Sequence, residues 1–205
     1  MEIRGAGNLL GKQQSGNIAV IGLDLYLYMV EQAVQQLRGQ VVEVIPEPTL
    51  YLHVSAFIPE DYVEDTHQRL SLYKRLSGSE QIGDLALLHG ETQDRYGPLP
   101  APVERLYEVM QVKLLAKSLK LESVEIQDNT IIIAFHELAK LPEEGVQWLM
   151  DRCKHALQFL SPLSFQREMP SEEWEVLYPE LNTILQGLNR YARTHEEVST
   201  DAKQD

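Results

Sequence analysis

Ser123-Val124-Glu125-Ile126-Gln127 and Thr130-Ile131-Ile132-Ile133-Ala134-Phe135 are separated only by Asp128-Asn129. Two short β-prone runs split by two polar residues predict a hairpin, because Asp and Asn accept the left-handed backbone of such a turn. Helical patterns lie on both sides. Upstream, Val103, Leu106, Tyr107, Met110, Leu114 and Lys117 recur at helical spacing after Gly97-Pro98-Leu99-Pro100-Ala101-Pro102, a stiff turn whose Pro102 suits a first helical turn. Downstream, a helix is expected over Pro142–Phe159, a strand over Leu163–Arg167, and a last helix from Ser171 to about Tyr191. The fold class is therefore α+β: helices packed on a small, largely antiparallel sheet.

Further upstream, Leu50, Leu52, Val54, Ala56 and Ile58 alternate with Tyr51, His53, Ser55 and Phe57, which predicts a strand ended by Pro59. A helix is expected from about Asp65 to Leu76, buried through Leu70, Leu72, Tyr73 and Leu76 and stopped by Gly78. Ser79 is the expected cap of the next helix, which runs to about Tyr96. Before the Pro-flanked linker Ile45-Pro46-Glu47-Pro48-Thr49 stands a separate segment: a glycine-rich loop, then a helix over Asp24–Leu37. Three parts are expected: 1–44, loop and helix; 45–193, the compact domain; 194–205, a flexible acidic tail. A glycine-rich start with no element before it suggests the C-terminal piece of a longer protein.

The chain has 205 residues, with 18 Lys and Arg against 31 Asp and Glu, a net charge of −13. Residues 1–44 hold Arg4, Lys12 and Arg38 against Glu2, Asp24, Glu31 and Glu43, so −12 falls on the remainder. This argues against a module that wraps nucleic acid, since phosphate binding needs dense cationic surface. The single cysteine, Cys153, permits no intrachain disulfide and fits a reducing, cytoplasmic setting. Met1-Glu2-Ile3-Arg4-Gly5 lacks the basic stretch and apolar run of a signal peptide, and the purest apolar run, Ile131–Phe135, is far shorter than the roughly 20 residues that span a bilayer.

Catalytic patterns fail at their working atoms. Gly11-Lys12 is followed by Gln13 where a phosphate-binding loop needs the hydroxyl that ligates Mg²⁺. Gly5, Gly7 and Gly11 miss the dinucleotide spacing. Six histidines, His53, His67, His89, His136, His155 and His195, form no zinc-type spacing with a third ligand. No nucleophile elbow surrounds Ser15, and the Glu pairs 143–144, 172–173 and 196–197 suit helix starts or the tail. Neither a catalytic residue nor a metal ligand is expected. Tyr26, Tyr28, Tyr51, Phe57, Tyr73 and Tyr107 lack interleaved cations, so packing outweighs a base-stacking platform. The polar run Lys12-Gln13-Gln14-Ser15 between Gly11 and Gly16 is different: a glycine-hinged amide can exchange partners as a motor changes state.

The string Ile3-Arg4-Gly5-Ala6-Gly7-Asn8-Leu9-Leu10-Gly11-Lys12-Gln13-Gln14-Ser15-Gly16, then Ile21-Gly22-Leu23-Asp24-Leu25-Tyr26, resembles the translocation motif shared by RecG helicases and the bacterial transcription-repair coupling factors (Mfd). Three further stretches select the coupling-factor family: Leu52–Val63, Arg69–Leu76 and Asp94–Pro100, which resemble that family's C-terminal domain. The resemblance spans about Ile3 to Leu121 and weakens towards Arg167.

The resemblance implies a non-catalytic part of an ATP-driven double-stranded-DNA translocase that displaces stalled RNA polymerase and recruits the excision-repair protein UvrA. It implies that Arg4 and Gln14 couple ATP turnover to movement, with Gly11 and Gly16 as loop hinges. It implies that the C-terminal domain masks the UvrA-binding domain of the same protein. ATP and Mg²⁺ would belong to motor domains outside this chain, which carries no cofactor of its own. Polymerase, UvrA and DNA would be met through the parent protein. The alternative is a freestanding acidic adaptor without a motor.

Overall fold

The structure, a computed structural model, describes residues 47–139 and 141–201. The expected hairpin is at its centre: β2 (Leu121–Gln127) and β3 (Thr130–Phe135) pair antiparallel, with Asp128 left-handed at φ +52° in the turn. The turn is clamped from outside. Asn129 Nδ2 donates to the Met169 carbonyl at 2.7 Å, and the Met169 N–H donates to the Asn129 carbonyl at 2.8 Å.

β1 (Thr49–Tyr51), β4 (Leu157–Ser161) and β5 (Ser164–Glu168) complete a five-stranded sheet in the order β1-β2-β3-β5-β4, with only β1 parallel to its neighbour. Around it lie α1 (Thr66–Ser77), α2 (Ile82–Tyr96), α3 (Ala101–Ser118), α4 (Glu143–Cys153) and α5 (Trp174–Asp201). The α+β class, with helices on a largely antiparallel sheet, is therefore as read from the sequence.

Two apolar cores form. Alternate residues Val124, Ile126, Ile131, Ile133 and Phe165 are buried with Leu181, Ile184, Leu185 and Leu188 of α5. Each such side chain contributes roughly 1.5–3 kcal/mol by leaving water. The second core joins Ile58, Val63, Leu72, Leu76, Leu85 and Leu88 to Val103 and Tyr107. Helix α3 serves both: Val103 and Tyr107 enter the second core, Val112, Leu115 and Ala116 the first. A helix buried on two sides has no single apolar stripe, which is why the periodicity located Val103 and Tyr107 but not Val112, Leu115 and Ala116. Lys117, placed on that stripe from spacing, is an exposed partner of Glu47. A polar seam also ties α3 to α5: Arg105–Glu175 at 2.6 Å, Tyr178 to Gln111 at 3.0 Å, Ser118 to Asn189 at 2.7 Å. Burial, with Glu108 nearby, pushes the Tyr178 hydroxyl up to about 12.

Five expectations need correction. The Leu50–Ile58 strand pairs only over Thr49–Tyr51, because His53 turns left-handed at φ +48°. Its alternation persists as burial, with Leu52 and Ile58 inside and His53, Ser55 and Phe57 outside. Its later N–H groups find other acceptors: Phe57 donates to the Pro102 carbonyl and Ile58 to the Tyr73 hydroxyl. Leu70 is 61% exposed rather than buried. Ser79 does not cap α2, since its hydroxyl donates back to the Arg75 carbonyl, while Asp84 accepts from the Gln81 N–H at 3.0 Å. The Pro142–Phe159 helix stops at Cys153, where Lys154 becomes left-handed at φ +46°; Leu157–Ser161 then forms β4, with Phe159 opposite Phe165. The last helix runs past Tyr191 to Asp201.

Candidate protein-docking face

The three stretches that select the family converge on one node of the second core. Asp65 caps α1 by accepting the Gln68 N–H at 2.8 Å, a contact that satisfies an orphan donor of the first turn. One turn on, Arg69 reaches back. Its guanidinium donates to the Val63 carbonyl at 2.8 Å and to Glu60 at 3.1 Å, with only 14% of the side chain exposed. The loop 60–65 is thereby fastened to the helix that follows it. Tyr73, one turn further, accepts the Ile58 N–H at 2.7 Å.

Asp94–Pro100 closes the node. The Tyr62 hydroxyl donates to the Gly97 carbonyl at 2.9 Å, and the Tyr62 and Tyr96 rings lie 5.9 Å apart, tilted by 58°. Tyr96 in turn donates to Gln68 at 2.9 Å. Gly97 sits at φ +87° and ψ −171°, a conformation open essentially to glycine alone. Burial, reinforced by Glu104 and Tyr96, raises the Tyr62 hydroxyl above its ordinary value of 10.0, so it stays protonated and donating at neutral pH.

This node is rigid within and charged without. Glu60, Asp61, Glu64 and Asp65 are exposed on the loop, and Glu91 and Asp94 on the last turns of α2. Arg75 pairs with Glu91 across a groove of about 130 Å³ between α1 and α2, and Arg95 lies over the Tyr96 ring, 5.3 Å from its centroid. A groove that size is well below the roughly 300–1,000 Å³ of small-molecule sites. His89 does not face a reactant: its Nε2 is 2.9 Å from Glu104, and its ring stands edge-on to Tyr107, which is held by Thr92. The arrangement offers carboxylates on a stiff scaffold, which suits recognition of a basic protein surface.

The sequence-predicted motif residues Arg4, Gly11, Gln14 and Gly16 lie outside the described residues. Among the described residues, no three His, Cys, Asp or Glu side chains are placed to hold a metal ion, and no helix is long and apolar enough to cross a membrane. His136 accepts the Leu138 N–H through Nδ1 at 3.2 Å. Cys153 is buried, which pushes its thiol up and away from reactivity. Tyr107 and Tyr73 pack as expected, but Tyr51 and Phe57 are 54% and 45% exposed. Reading by residue type missed Arg69; its sign in the sequence was a lone arginine one turn after a cluster of four acids.

A TRCF domain model matches residues 52–146. Over 193 residues the chain is 36% identical to the transcription-repair-coupling factor of Myxococcus xanthus; the match covers 94% of this chain and 16% of that protein. It is 33% identical over 146 residues to the corresponding factor of Bacillus subtilis, covering 71% of this chain and 12% of the relative. The chain thus spans about an eighth to a sixth of the length of these relatives. The crystal structure of a C-terminal domain of transcription-repair coupling factor superposes with a TM-score of 0.65, covering 72% of this chain and 95% of that one at 19% identity, which shows the shared fold. Residues 52–146 also contain the whole node, from Ile58 to Gly97. The chain belongs to the transcription-repair-coupling factor family and is built on the fold of that family's C-terminal domain.

Proposed function

We propose that this chain is the non-catalytic C-terminal part of an ATP-dependent double-stranded-DNA translocase coupling stalled transcription to excision repair, and that its acidic node masks the UvrA-binding domain of the parent protein. The observation that carries this reading is the node itself. Three separated stretches are spent on fixing an exposed acidic loop against α1 and α2, through Arg69, Tyr62 and Gly97, with no reactive group inside. A carboxylate-rich loop held by hydrogen bonds lowers the cost of ordering on docking and favours a basic partner.

The motif at 3–16 has the second role. Arg4 and Gln14 transmit ATP turnover into movement, with Gly11 and Gly16 as hinges. ATP and Mg²⁺ are bound by motor domains of the parent, which also meets RNA polymerase and DNA. Removal of residues 45–205 from the full-length parent tightens its binding to UvrA, measured by titration calorimetry; unchanged affinity eliminates masking. In the same parent, Arg4→Ala or Gln14→Ala leaves ATP hydrolysis but abolishes polymerase displacement. Normal displacement by both variants eliminates the transmission role.

A further inference from the structure

A second recess lies on the sheet side of the domain, where β1, the β2–β3 turn and the start of α5 meet. It has a volume of about 660 Å³. Its floor is apolar: Leu52, Ile126, Trp174 and Leu177 line it and are buried, at 8%, 4%, 7% and 1% exposure. Its rim is anionic, with Asp128 on the hairpin turn and Glu172 and Glu173 just before α5, all three exposed. None of these carboxylates forms an ion pair among the described residues, whereas Glu47, Glu60, Glu91, Glu175 and Glu180 all do. His53 and Gln127 complete the polar lining.

The chemistry narrows the occupant. A phosphate or carboxylate is repelled by three like charges. The amino end of α5 carries only about half a positive charge, too little to reverse that field. A bare metal ion is not matched either, because these groups do not converge as a metal-holding cluster. The recess wants an extended cation with an apolar body. An arginine side chain has both: its stem packs on apolar surface, and its planar guanidinium spreads five donors towards separated acceptors. The volume exceeds one side chain, so apolar residues flanking the arginine fill the remainder.

We propose that this recess is a socket for an arginine flanked by apolar residues, presented by a protein partner. It shares no charged residue with the acidic node and does not rest on the masking reading. The probe is the capped pentapeptide Gly-Leu-Arg-Leu-Gly, with citrulline or glutamate replacing arginine as controls, titrated into the full chain. Trp174 lies in the floor, and Trp148 is the only other tryptophan, so ¹⁵N spectra of the two indole groups report occupancy directly. Trp148→Phe assigns the signals. The arginine peptide is expected to move the Trp174 resonance saturably. Citrulline should bind about tenfold more weakly, as should the arginine peptide on Asp128→Asn/Glu172→Gln/Glu173→Gln, from the loss of exposed charge pairs that contribute roughly 0.2–1 kcal/mol each. Asn also accepts the left-handed backbone at 128, so the turn survives. An unmoved Trp174 signal, or equal binding of the citrulline peptide, overturns the socket; so does an unchanged affinity in the triple variant.

Discussion

The Tyr62 hydroxyl donates a hydrogen bond to the carbonyl of Gly97, linking the acidic loop to the end of α2 across 35 residues of sequence. The two residues play different parts. Tyr62 provides the bond, and Gly97 provides a backbone conformation at φ +87° that directs its carbonyl there. A Cβ at 97 would meet nothing within 4 Å, so any cost of Gly97→Ala is backbone strain alone, about 1–3 kcal/mol. Tyr62→Phe should cost about 1 kcal/mol. Urea denaturation of both variants measures this, and a neutral Gly97→Ala would contradict the strain.

Glycines elsewhere divide by surroundings. A Cβ on Gly187 would collide with the edge of the Trp148 ring where α4 packs on α5. Gly187→Ala is therefore expected to destabilise by about 1–3 kcal/mol through overpacking, with a changed tryptophan fluorescence. Gly90, inside α2, has open space around its Cβ position. Gly90→Ala should stabilise by about 0.5–1 kcal/mol, because the unfolded chain loses freedom. Opposite signs in one thermal-melt comparison are the expected result.

The hairpin, the α+β class and most helix positions were legible because they rest on local chemistry: Asp128-Asn129 at the turn, Gly78 after the helix from about Asp65, Pro102 in a first turn. What escaped depends on tertiary partners. No pattern at His53 announces a left-handed residue that ends the β1 ladder, since only the docking of 54–58 onto Tyr73 and Pro102 rewards leaving the sheet. Leu157–Ser161 continues an apolar helical pattern, yet pairing with β5 wins after Lys154 breaks the helix. The candidate site was legible as three family-like stretches. Their meeting at Arg69, Tyr62 and Gly97 was not, because hydrogen bonds to backbone carbonyls leave no signature in residue type.

Two glutamates pull stability in opposite directions with pH. Burial raises Glu108 above its ordinary 4.5, against the lowering effect of the Trp174 indole N–H bonded to it, and Glu104 and Glu175 add to the rise. A raised carboxyl binds its proton more tightly when folded, so this group's contribution falls as pH climbs from about 4.5 through the folded value. Its penalty is fully present above that. Glu108→Gln should remove this slope and raise the urea midpoint at pH 7, with the gain shrinking in acid.

Glu47 behaves in the reverse sense. Its hydrogen bond and charge pairing with Lys113 lower it below 4.5. Its contribution is present above 4.5 and lost as pH falls through the folded value. Glu47→Gln should therefore weaken the fold at pH 7 and leave it unchanged in acid below both values. Urea midpoints across a pH series separate the two residues.

The masking of the UvrA-binding domain stands or falls on charge at the node. The direct measurement is UvrA affinity for the full-length parent carrying Asp61→Lys, Glu64→Lys and Asp94→Lys, three exposed residues outside both cores. With the melting temperature held, the account predicts tighter UvrA binding, by about tenfold, as like charges push the mask away. Affinity equal to that of the unaltered parent would contradict it.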